Sequence, residues 1–130
     1  MLRVMEIALD SSSARYVVRT YAAAELRFAD QTVVRNDCIV AAQTLLTDWR
    51  APEDLEALDT VSLAPALALQ PTILLVGVGR KGALPILRGL RRELSQRRIA
   101  LEVMELGAAC RTYNVLAAEY RAVVAALVLR

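Results

Sequence analysis

The first half of the chain consists of short segments that favour β-strands, and in the first two of them apolar and polar residues alternate. The segments lie at residues 15–21 (RYVVRTY), 25–28 (ELRF), 33–35 (VVR) and 38–41 (CIVA). A period of two is typical of β-strands that bury one face. The polar residues at 29–32 (ADQT) and 36–37 (ND) favour turns between these segments. We therefore predict a strand-rich first half.

The second half has the alternation of strands and helices that is typical of α/β domains. Strands are predicted at residues 72–79, 99–106 and 121–129. The first of them, TILLVGVG, is a continuous apolar run, as expected for a strand buried on both faces. Residues 83–98 place leucines at helical spacing, and a further helix is predicted from about Ala108 to about Glu119. The predicted fold class is therefore α/β with a mixed sheet.

Two segments near the middle of the chain favour helices. Residues 51–58 (APEDLEAL) place a proline before acidic residues, a pattern typical of a helix start. The longest uncharged run, residues 62–79, contains Pro65, Gln70 and Pro71. A membrane-spanning helix needs about 20 apolar residues without such breaks. We predict a short helix, a turn and a buried strand in this run, and no membrane insertion.

Composition and length indicate one globular domain over residues 1–130. Hydrophobic residues make up 56% of the chain and charged residues 23%, which excludes a disordered protein. The formal net charge is only +2, so nucleic acid is not an expected partner. Glu6 and Asp10 interrupt the N-terminal segment, which therefore lacks the apolar core of a secretion signal. We predict a cytoplasmic protein.

Few residue types in the chain are suited to catalysis. The sequence contains no histidine, which excludes Ser-His-Asp and Cys-His arrangements built from this chain alone. Its two cysteines, Cys38 and Cys110, are isolated and lack the CxxC spacing of metal sites. We therefore predict no metal site and no cofactor, and we assign no catalytic residue.

A glycine-rich loop follows the predicted strand at residues 72–79. GVGRKG (77–82) matches the G-x-G-x-x-G pattern of dinucleotide-binding folds, and Glu105 ends the next strand, where such folds bind ribose hydroxyls. A nucleotide site would use Gly77, Gly79, Gly82 and Glu105. The alternative is a strand-end turn that needs glycine because the following helix packs close. Arg80 and Lys81 are either ligands for an anion or solvated charges.

The segment GAACRTYNVL (107–116) concentrates the candidate chemistry of the chain. If a helix begins as predicted, Cys110 lies in its first turn, where the helix dipole and Arg111 favour a thiolate. Asn114 shares a face with Cys110 and would, with Thr112, orient a bound anion. The alternative is an apolar stripe of Ala109, Cys110, Tyr113, Leu116 and Ala117. Packing is the favoured interpretation, because no base accompanies the thiol.

Two segments of the second half resemble a known family. They are MELGAACRTYNVLAAEYR…VVAALV, within residues 104–128, and ILLVGVG, residues 73–79. Both are similar to the small α/β family that contains the third assembly factor of mitochondrial respiratory complex I, an adipogenesis-associated cytosolic protein and many uncharacterised bacterial and archaeal members. The similarity extends from about Tyr16 to about Leu129. Its most specific positions are Ala109, Cys110, Thr112, Asn114, Leu116, Glu119 and Arg121.

The resemblance implies a three-layer α/β domain with a central mixed sheet flanked by helices. It also implies a protein without accepted enzymatic activity or cofactor, which binds protein partners as an assembly helper. A shared site would lie between the strand end at Gly77–Gly79 and the helix start at Cys110–Asn114, at the edge where open α/β sheets bind ligands. The candidate binding residues are Gly77, Gly79, Arg80, Cys110, Arg111, Thr112, Asn114 and Arg121.

The chain departs from the family pattern at two positions. The family usually has threonine where Leu106 stands, so a hydroxyl that would cap the helix is missing. It usually has glycine where Tyr120 stands, between Glu119 and Arg121. Glycine suits the left-handed residue that ends a helix, whereas tyrosine in that conformation costs roughly 1–2 kcal/mol. Either the turn differs in this chain or the strain is accepted.

Two functional hypotheses follow. The leading one is a non-enzymatic binding or assembly module that acts through protein partners, for example in the assembly of a respiratory or other membrane complex. The alternative is a protein that binds a small molecule or an anion. In one version of this alternative the protein is an enzyme that uses a Cys110 thiolate. The arginines of the predicted helix at 83–98 either form a basic face for an acidic partner or are solvated. A free edge strand in the first half would allow a homodimer.

Overall fold

The computed structural model describes residues 14–22 and 24–129. The strands are β1 (Val18–Ala22), β2 (Glu25–Phe28), β3 (Val33–Val34), β4 (Cys38–Ala41), β5 (Thr44–Leu46), β6 (Ile73–Val78), β7 (Ala100–Glu105) and β8 (Val123–Val128). The helices are a 3₁₀ helix (Leu55–Ala57), α1 (Ala64–Leu67), α2 (Arg88–Gln96) and α3 (Leu106–Ala118). The interpretation of Glu6 and Asp10 concerns residues outside the described part of the chain.

A mixed five-stranded sheet forms the centre of the fold, with the strand order β5-β4-β8-β6-β7. Strand β6 pairs in parallel with both β7 and β8, while β4 pairs antiparallel with β8 and β5. Strands β6 and β8 are buried along almost their whole length. Their continuous apolar sequences follow from this burial on both faces. The predicted mixed sheet is confirmed.

Two hydrophobic clusters lie on opposite faces of the central sheet. On one face, Leu90 and Leu94 of α2 pack with Trp49 and the 3₁₀ helix. On the other face, Ala109 and Tyr113 of α3 pack against β6 and β8. Because side chains alternate along a strand, successive residues of β8 contribute to different clusters. The three-layer α/β domain predicted from the sequence is therefore confirmed.

The first three strands form an antiparallel sheet of their own, with the order β1-β2-β3. The strand-rich first half is confirmed, but only β4 and β5 of that half belong to the central sheet. The small sheet packs on the α3 side, where Leu26 and Phe28 join the same hydrophobic cluster as α3. The sequence pattern does not predict β5, because three half-buried residues are too few to show a period.

Helix α2 begins at Arg88, later than the predicted start at residue 83. Pro85 accounts for the difference, because proline disfavours a helical conformation in the residue before it. The segment that precedes α2 is instead held by Glu56, whose carboxylate accepts the backbone N–H of Ile86 at 3.1 Å. A long-range contact therefore holds the segment between Pro85 and the helix.

Two other helices differ in extent from the prediction. Helix α3 begins at Leu106 and not near Ala108, because Leu106 is buried in the core and the extended residue Glu105 is the N-cap. The helix predicted at residues 51–58 is reduced to the 3₁₀ turn. Asp54 caps this turn by accepting a hydrogen bond from the N–H of its second residue at 3.0 Å.

Helix α3 ends in a turn whose left-handed residue would suit glycine, although the residue there is tyrosine. Tyr120 has a φ of 60°. Its N–H donates to the Ala117 carbonyl at 3.1 Å, and the N–H of Arg121 donates to the Leu116 carbonyl at 3.0 Å. This pair of hydrogen bonds defines a Schellman motif. The chain thus keeps the Schellman turn, and Tyr120 occupies its left-handed position in a strained backbone conformation.

Candidate functional site

The carboxyl ends of β6, β7 and β8 meet at one edge of the central sheet. From this edge the chain leaves β6 towards α2 on one face and leaves β7 towards α3 on the other. Connections that diverge in this way open a crevice between the strand ends, and open α/β sheets bind ligands at such points. The crevice between β6 and β7 is therefore the candidate functional site.

An open cavity of about 260 Å³ occupies the crevice. It is lined by Tyr21, Ala22, Val78, Gly79, Glu105, Leu106 and Gly107. Tyr21 comes from the small sheet, and its ring covers the first turn of α3. A Cβ at Gly107 would lie 2.7 Å from atoms of the Tyr21 ring. Glycine at this position therefore allows an aromatic ring to form one wall of the cavity.

The glycines at the end of β6 allow neighbouring elements to pack closely. A Cβ on Gly77 would lie 2.6 Å from Cβ of Ala109, and one on Gly79 would lie 2.9 Å from the Val128 carbonyl oxygen. Gly82 has a φ of 120° and no such neighbour. Because α2 begins six residues after Gly82, the loop does not lead directly into a helix N-terminus as in dinucleotide-binding folds. This geometry favours the packing interpretation of the glycine motif.

Both cysteine thiols lie in the core. Cys110 is the fifth residue of α3 and is only 1% exposed. Burial raises the pKa of the Cys110 thiol to about 12, although the charge of Arg111 opposes the shift. Burial, together with the neighbouring Cys110, also raises the pKa of Cys38 to about 12. Both thiols are therefore protonated at neutral pH, and neither lines the crevice.

Arg111 lies at the rim of the crevice, with its side chain 63% exposed. Its guanidinium donates a hydrogen bond to Tyr21 Oη at 2.5 Å and lies 4.0 Å from the Glu105 carboxylate. The guanidinium carbon is 6.0 Å from the centre of the Tyr21 ring, at the limit of the cation–π range. This single side chain thus connects β1, β7 and α3 while its charge stays accessible to solvent.

Asn114 binds the backbone of β1 and does not line the crevice. Its Oδ1 accepts the Val18 N–H at 2.9 Å, and its Nδ2 donates to the Val18 carbonyl at 2.8 Å. The neighbouring Tyr113 donates its hydroxyl to the Tyr16 carbonyl at 2.6 Å. Together these side chains attach the small sheet to α3. The Asn114 amide is therefore occupied by the fold itself.

Two further candidate residues lie away from the crevice. Arg80 donates to the Glu53 carbonyl at 2.8 Å, beside a separate cavity of about 200 Å³ whose wall includes several acidic residues. Arg121 is exposed and follows the opposite end of α3. Of the candidate binding residues, Gly79 lines the cavity and Arg111 borders it, while Gly77 supports the packing beneath.

The sequence patterns do not single out Tyr21 or Asp37. Tyr21 reaches the crevice only because the small sheet packs on α3, and such a long-range contact leaves no local signature. Asp37 is 1% exposed, and its carboxylate oxygens accept the N–H groups of Ala51 and Leu129 at 2.9 and 3.0 Å. The sequence indicates only a turn at Asp37. Its carboxylate attaches the chain beyond β8 to the loop that follows β5.

The outer side of α3 carries a second exposed feature. Val115 is 57% exposed and borders an apolar depression of about 270 Å³. The depression is lined by Arg111, Thr112, Val115 and Leu116. Because Arg111 contacts Tyr21, the depression continues to the rim of the crevice. We define the α3 surface as Tyr21, Arg111, Thr112 and Val115.

Residues 14–22 and 24–129 contain no group of three or more His, Cys, Asp or Glu side chains placed to hold a metal ion. No helix in this part of the chain is long and apolar enough to cross a membrane. Every buried side-chain nitrogen and oxygen atom of the same residues has a hydrogen-bond partner.

Residues 18–128 match the model of a family described as "Protein of unknown function (DUF498/DUF598)". The chain belongs to this family. It is similar to a Xanthomonas campestris protein at 30% identity, with a TM-score of 0.75 and coverage of 88% of this chain and 84% of that one. A Bordetella parapertussis protein is also 30% identical, with a TM-score of 0.70 and coverage of 87% of this chain and 94% of that one.

A Bordetella pertussis protein, described as a Mth938-like domain, shares the fold of this DUF498 chain. The two are 24% identical, with a TM-score of 0.67 and coverage of 89% of this chain and 87% of that one. No curated protein matches the chain in sequence. Membership of a small family of unknown function is therefore shown, while the relation to respiratory complex assembly stays a prediction.

Proposed function

We propose that the protein is a non-enzymatic binding module that acts through a protein partner at the α3 surface. The observation that carries the proposal is the composition of this surface. It places an aromatic ring, an arginine and a valine that is 57% exposed in one continuous patch. Tyrosine and arginine are enriched at protein interfaces, and they contribute a large share of the binding energy there.

The chemistry of the surrounding residues supports binding and not reaction. Cys110, the nucleophile considered from the sequence, is buried, and its pKa is raised to about 12. The Tyr21 hydroxyl and the Glu105 carboxylate are both engaged by Arg111. These contacts favour an orientation of the arginine against the Tyr21 ring before a partner arrives. A preorganised side chain loses less conformational entropy on binding.

We further propose that this binding serves the assembly of a respiratory or other membrane complex, with the protein acting in the cytoplasm. The support is the sequence resemblance of residues 73–79 and 104–128 to the family that contains a complex I assembly factor. Membership of a family of unknown function is compatible with that role.

The test of the proposed function compares two valine substitutions. Val115→Asp places a charge in the α3 surface, and Val61→Asp is the matched control at a valine that is 79% exposed elsewhere. Tagged variants would be expressed at native level and crosslinked mildly, and co-purifying proteins would be identified by mass spectrometry. We expect a defined partner that wild type and Val61→Asp retain and Val115→Asp loses. Equal recovery with all three proteins would refute the assignment of the α3 surface.

A second candidate function is the binding of a small molecule or anion in the crevice. It is favoured by the cavity of about 260 Å³ at the strand ends, beside the N-terminus of α3. Typical small-molecule sites have roughly 300–1,000 Å³, so this function ranks below protein binding. A metabolite that raises the melting temperature of wild type and Val115→Asp, but not of Arg111→Ala, would favour the crevice.

A further inference from the structure

Strand β7 is an edge strand of the central sheet, with β6 as its neighbour on one side. The Ala100 N–H donates to the Thr72 carbonyl at 2.9 Å, so the backbone groups of Ala100 point towards β6. Because these groups alternate in direction along a strand, those of Leu101, Val103 and Glu105 point away from the sheet. Arg91 of α2 donates to the Leu101 carbonyl, and Glu105 is the N-cap of α3, so its carbonyl belongs to the helix. The outer edge of β7 thus offers to a further strand the N–H groups of Leu101, Val103 and Glu105 and the Val103 carbonyl.

One arginine of α2 already reaches this edge. Arg91 donates a hydrogen bond to the Leu101 carbonyl oxygen and lies 3.9 Å from the Glu102 carboxylate. This contact shows which side of α2 borders the edge. At about 100° per residue, Arg88 lies about 60° from Arg91 around the helix and Arg92 about 100°. We define these three arginines as the basic flank.

The basic flank carries charge that is available to a ligand. Arg88, Arg91 and Arg92 are all exposed. In the part of the chain that the structure describes, Arg91 has an acidic partner at 3.9 Å, whereas Arg88 and Arg92 form no ion pair. The carboxylates of β7 itself, Glu102 and Glu105, each lie within 4.0 Å of an arginine. Arg88 and Arg92 therefore add unpaired positive charge to the helix whose Arg91 contacts the edge.

We propose that the outer edge of β7 binds an acidic, extended segment of a partner protein, which adds to the central sheet as a sixth strand. Backbone hydrogen bonds to β7 would supply affinity, as in other cases of strand addition. Acidic side chains of the segment would pair with the basic flank. The proposal goes beyond the α3 surface, because the basic flank belongs to the layer on the opposite face of the sheet.

A second copy of the chain is a less suitable occupant of this edge. Pairing β7 with itself about a twofold axis would place two α2 helices side by side. Residues 88–98 contain five arginines and a single acidic residue, Glu93, so the two helices would repel each other. A twofold axis at Glu102 would also place two carboxylates opposite one another, which destabilises paired strands. An acidic segment brings no second α2 helix to the edge, so it avoids the repulsion between the arginines.

The first experiment uses synthetic peptides and the unmodified full chain. A fluorescein-labelled peptide of about ten residues that alternates glutamate with valine is compared by anisotropy with a peptide that has lysine for glutamate. We expect the acidic peptide to bind about tenfold more tightly, and the difference to shrink as salt is added. Equal affinity of the two peptides would overturn the proposal.

Backbone methylation distinguishes strand addition from simple charge attraction. Two versions of the acidic peptide are N-methylated at alternate peptide nitrogens, one at the odd and one at the even positions, so each version lacks the N–H groups of one edge of the bound strand. We expect the version that lacks the N–H groups facing β7 to lose binding and the other version to retain it. Equal affinity of the two methylated peptides would show that the peptide is not paired with β7, and would overturn the proposal.

Protein variants then locate the site. Arg88→Glu is expected to weaken binding of the acidic peptide about tenfold, while Arg19→Glu, at an exposed arginine of β1, is the matched control and should leave it unchanged. Val115→Asp should also leave it unchanged, so this proposal and the proposed function can fail separately. Retained affinity in Arg88→Glu would overturn the proposal. The proposal would also be overturned if sedimentation velocity showed a homodimer of the wild type and a monomer of Val103→Pro, because β7 would then pair with a second copy of the chain.

Discussion

Replacing Tyr120 by glycine is expected to stabilise the protein. Tyr120 closes α3 with a φ of 60°, a left-handed conformation that costs a residue with a Cβ roughly 1–2 kcal/mol. Glycine adopts the same conformation without that steric cost. Both hydrogen bonds of the Schellman turn are made by backbone groups, so the substitution keeps them.

Two smaller effects reduce the expected gain. Glycine makes the unfolded chain more flexible, which lowers the free energy of unfolding by about 0.4–1 kcal/mol. The Tyr120 side chain is 66% exposed, so its removal sacrifices little buried surface. The midpoints of the two ranges give a net increase in the free energy of unfolding of about 0.8 kcal/mol, or roughly 2–5 °C in melting temperature for a domain of this size.

Urea unfolding followed by tryptophan fluorescence measures this change. Trp49 is the single tryptophan of the chain and is 6% exposed, so it reports on the loss of the core. Tyr120→Ala is the matched control, because it removes the ring but keeps the Cβ, and it should gain nothing. If the glycine and alanine variants unfold at the same urea concentration, backbone strain at Tyr120 is not the cause and the reasoning is refuted.

Three further predictions concern packing, a side-chain clamp and pH. Gly77→Ala is expected to lower the free energy of unfolding by about 1–3 kcal/mol, because the added methyl would lie 2.6 Å from Cβ of Ala109. An unchanged urea midpoint would contradict this prediction and show that α3 shifts freely. Asn114→Ala removes both hydrogen bonds to Val18, so it should lower the free energy of unfolding by about 1–3 kcal/mol. It should also speed hydrogen exchange at the Val18 amide, and unaltered exchange would show that Asn114 does not attach β1 to α3. The Cys110 thiol has a pKa of about 12 in the folded protein against an ordinary 9.0. Its neutral form therefore contributes stability that is fully present below pH 9 and is lost as pH rises towards 12. Urea midpoints that fall as steeply over this range in Cys110→Ala as in wild type would contradict this assignment.

Much of the fold could be predicted because burial on both faces leaves a plain local pattern. The apolar runs within 72–79 and 121–129 became β6 and β8, the buried inner strands of the sheet. The short segments predicted as strands in the first half became β1 to β4. The predicted start of α2 was wrong, because Pro85 disfavours a helical conformation in the residue before it. The hydrogen bond from Ile86 to Glu56 that holds the preceding segment joins residues 30 positions apart, so no local pattern indicates it.

The candidate site could be predicted only in part. The sequence placed it at the end of β6 and the start of α3, and the crevice lies there. It did not indicate Tyr21 as a wall of the cavity, nor that both functional groups of the Asn114 side chain bind the β1 backbone. Both facts depend on the docking of the small sheet onto α3, which brings together residues about 90 positions apart in the chain.

By itself, the sequence determined the α/β class, the buried strands and membership of a family of unknown function, because these depend on the order of residue types along the chain. Only the tertiary structure decided that the first three strands form a sheet of their own and that β7 is left at an edge beside the arginines of α2. The physical reason is that a local pattern records which faces are buried. It does not record which distant element covers them.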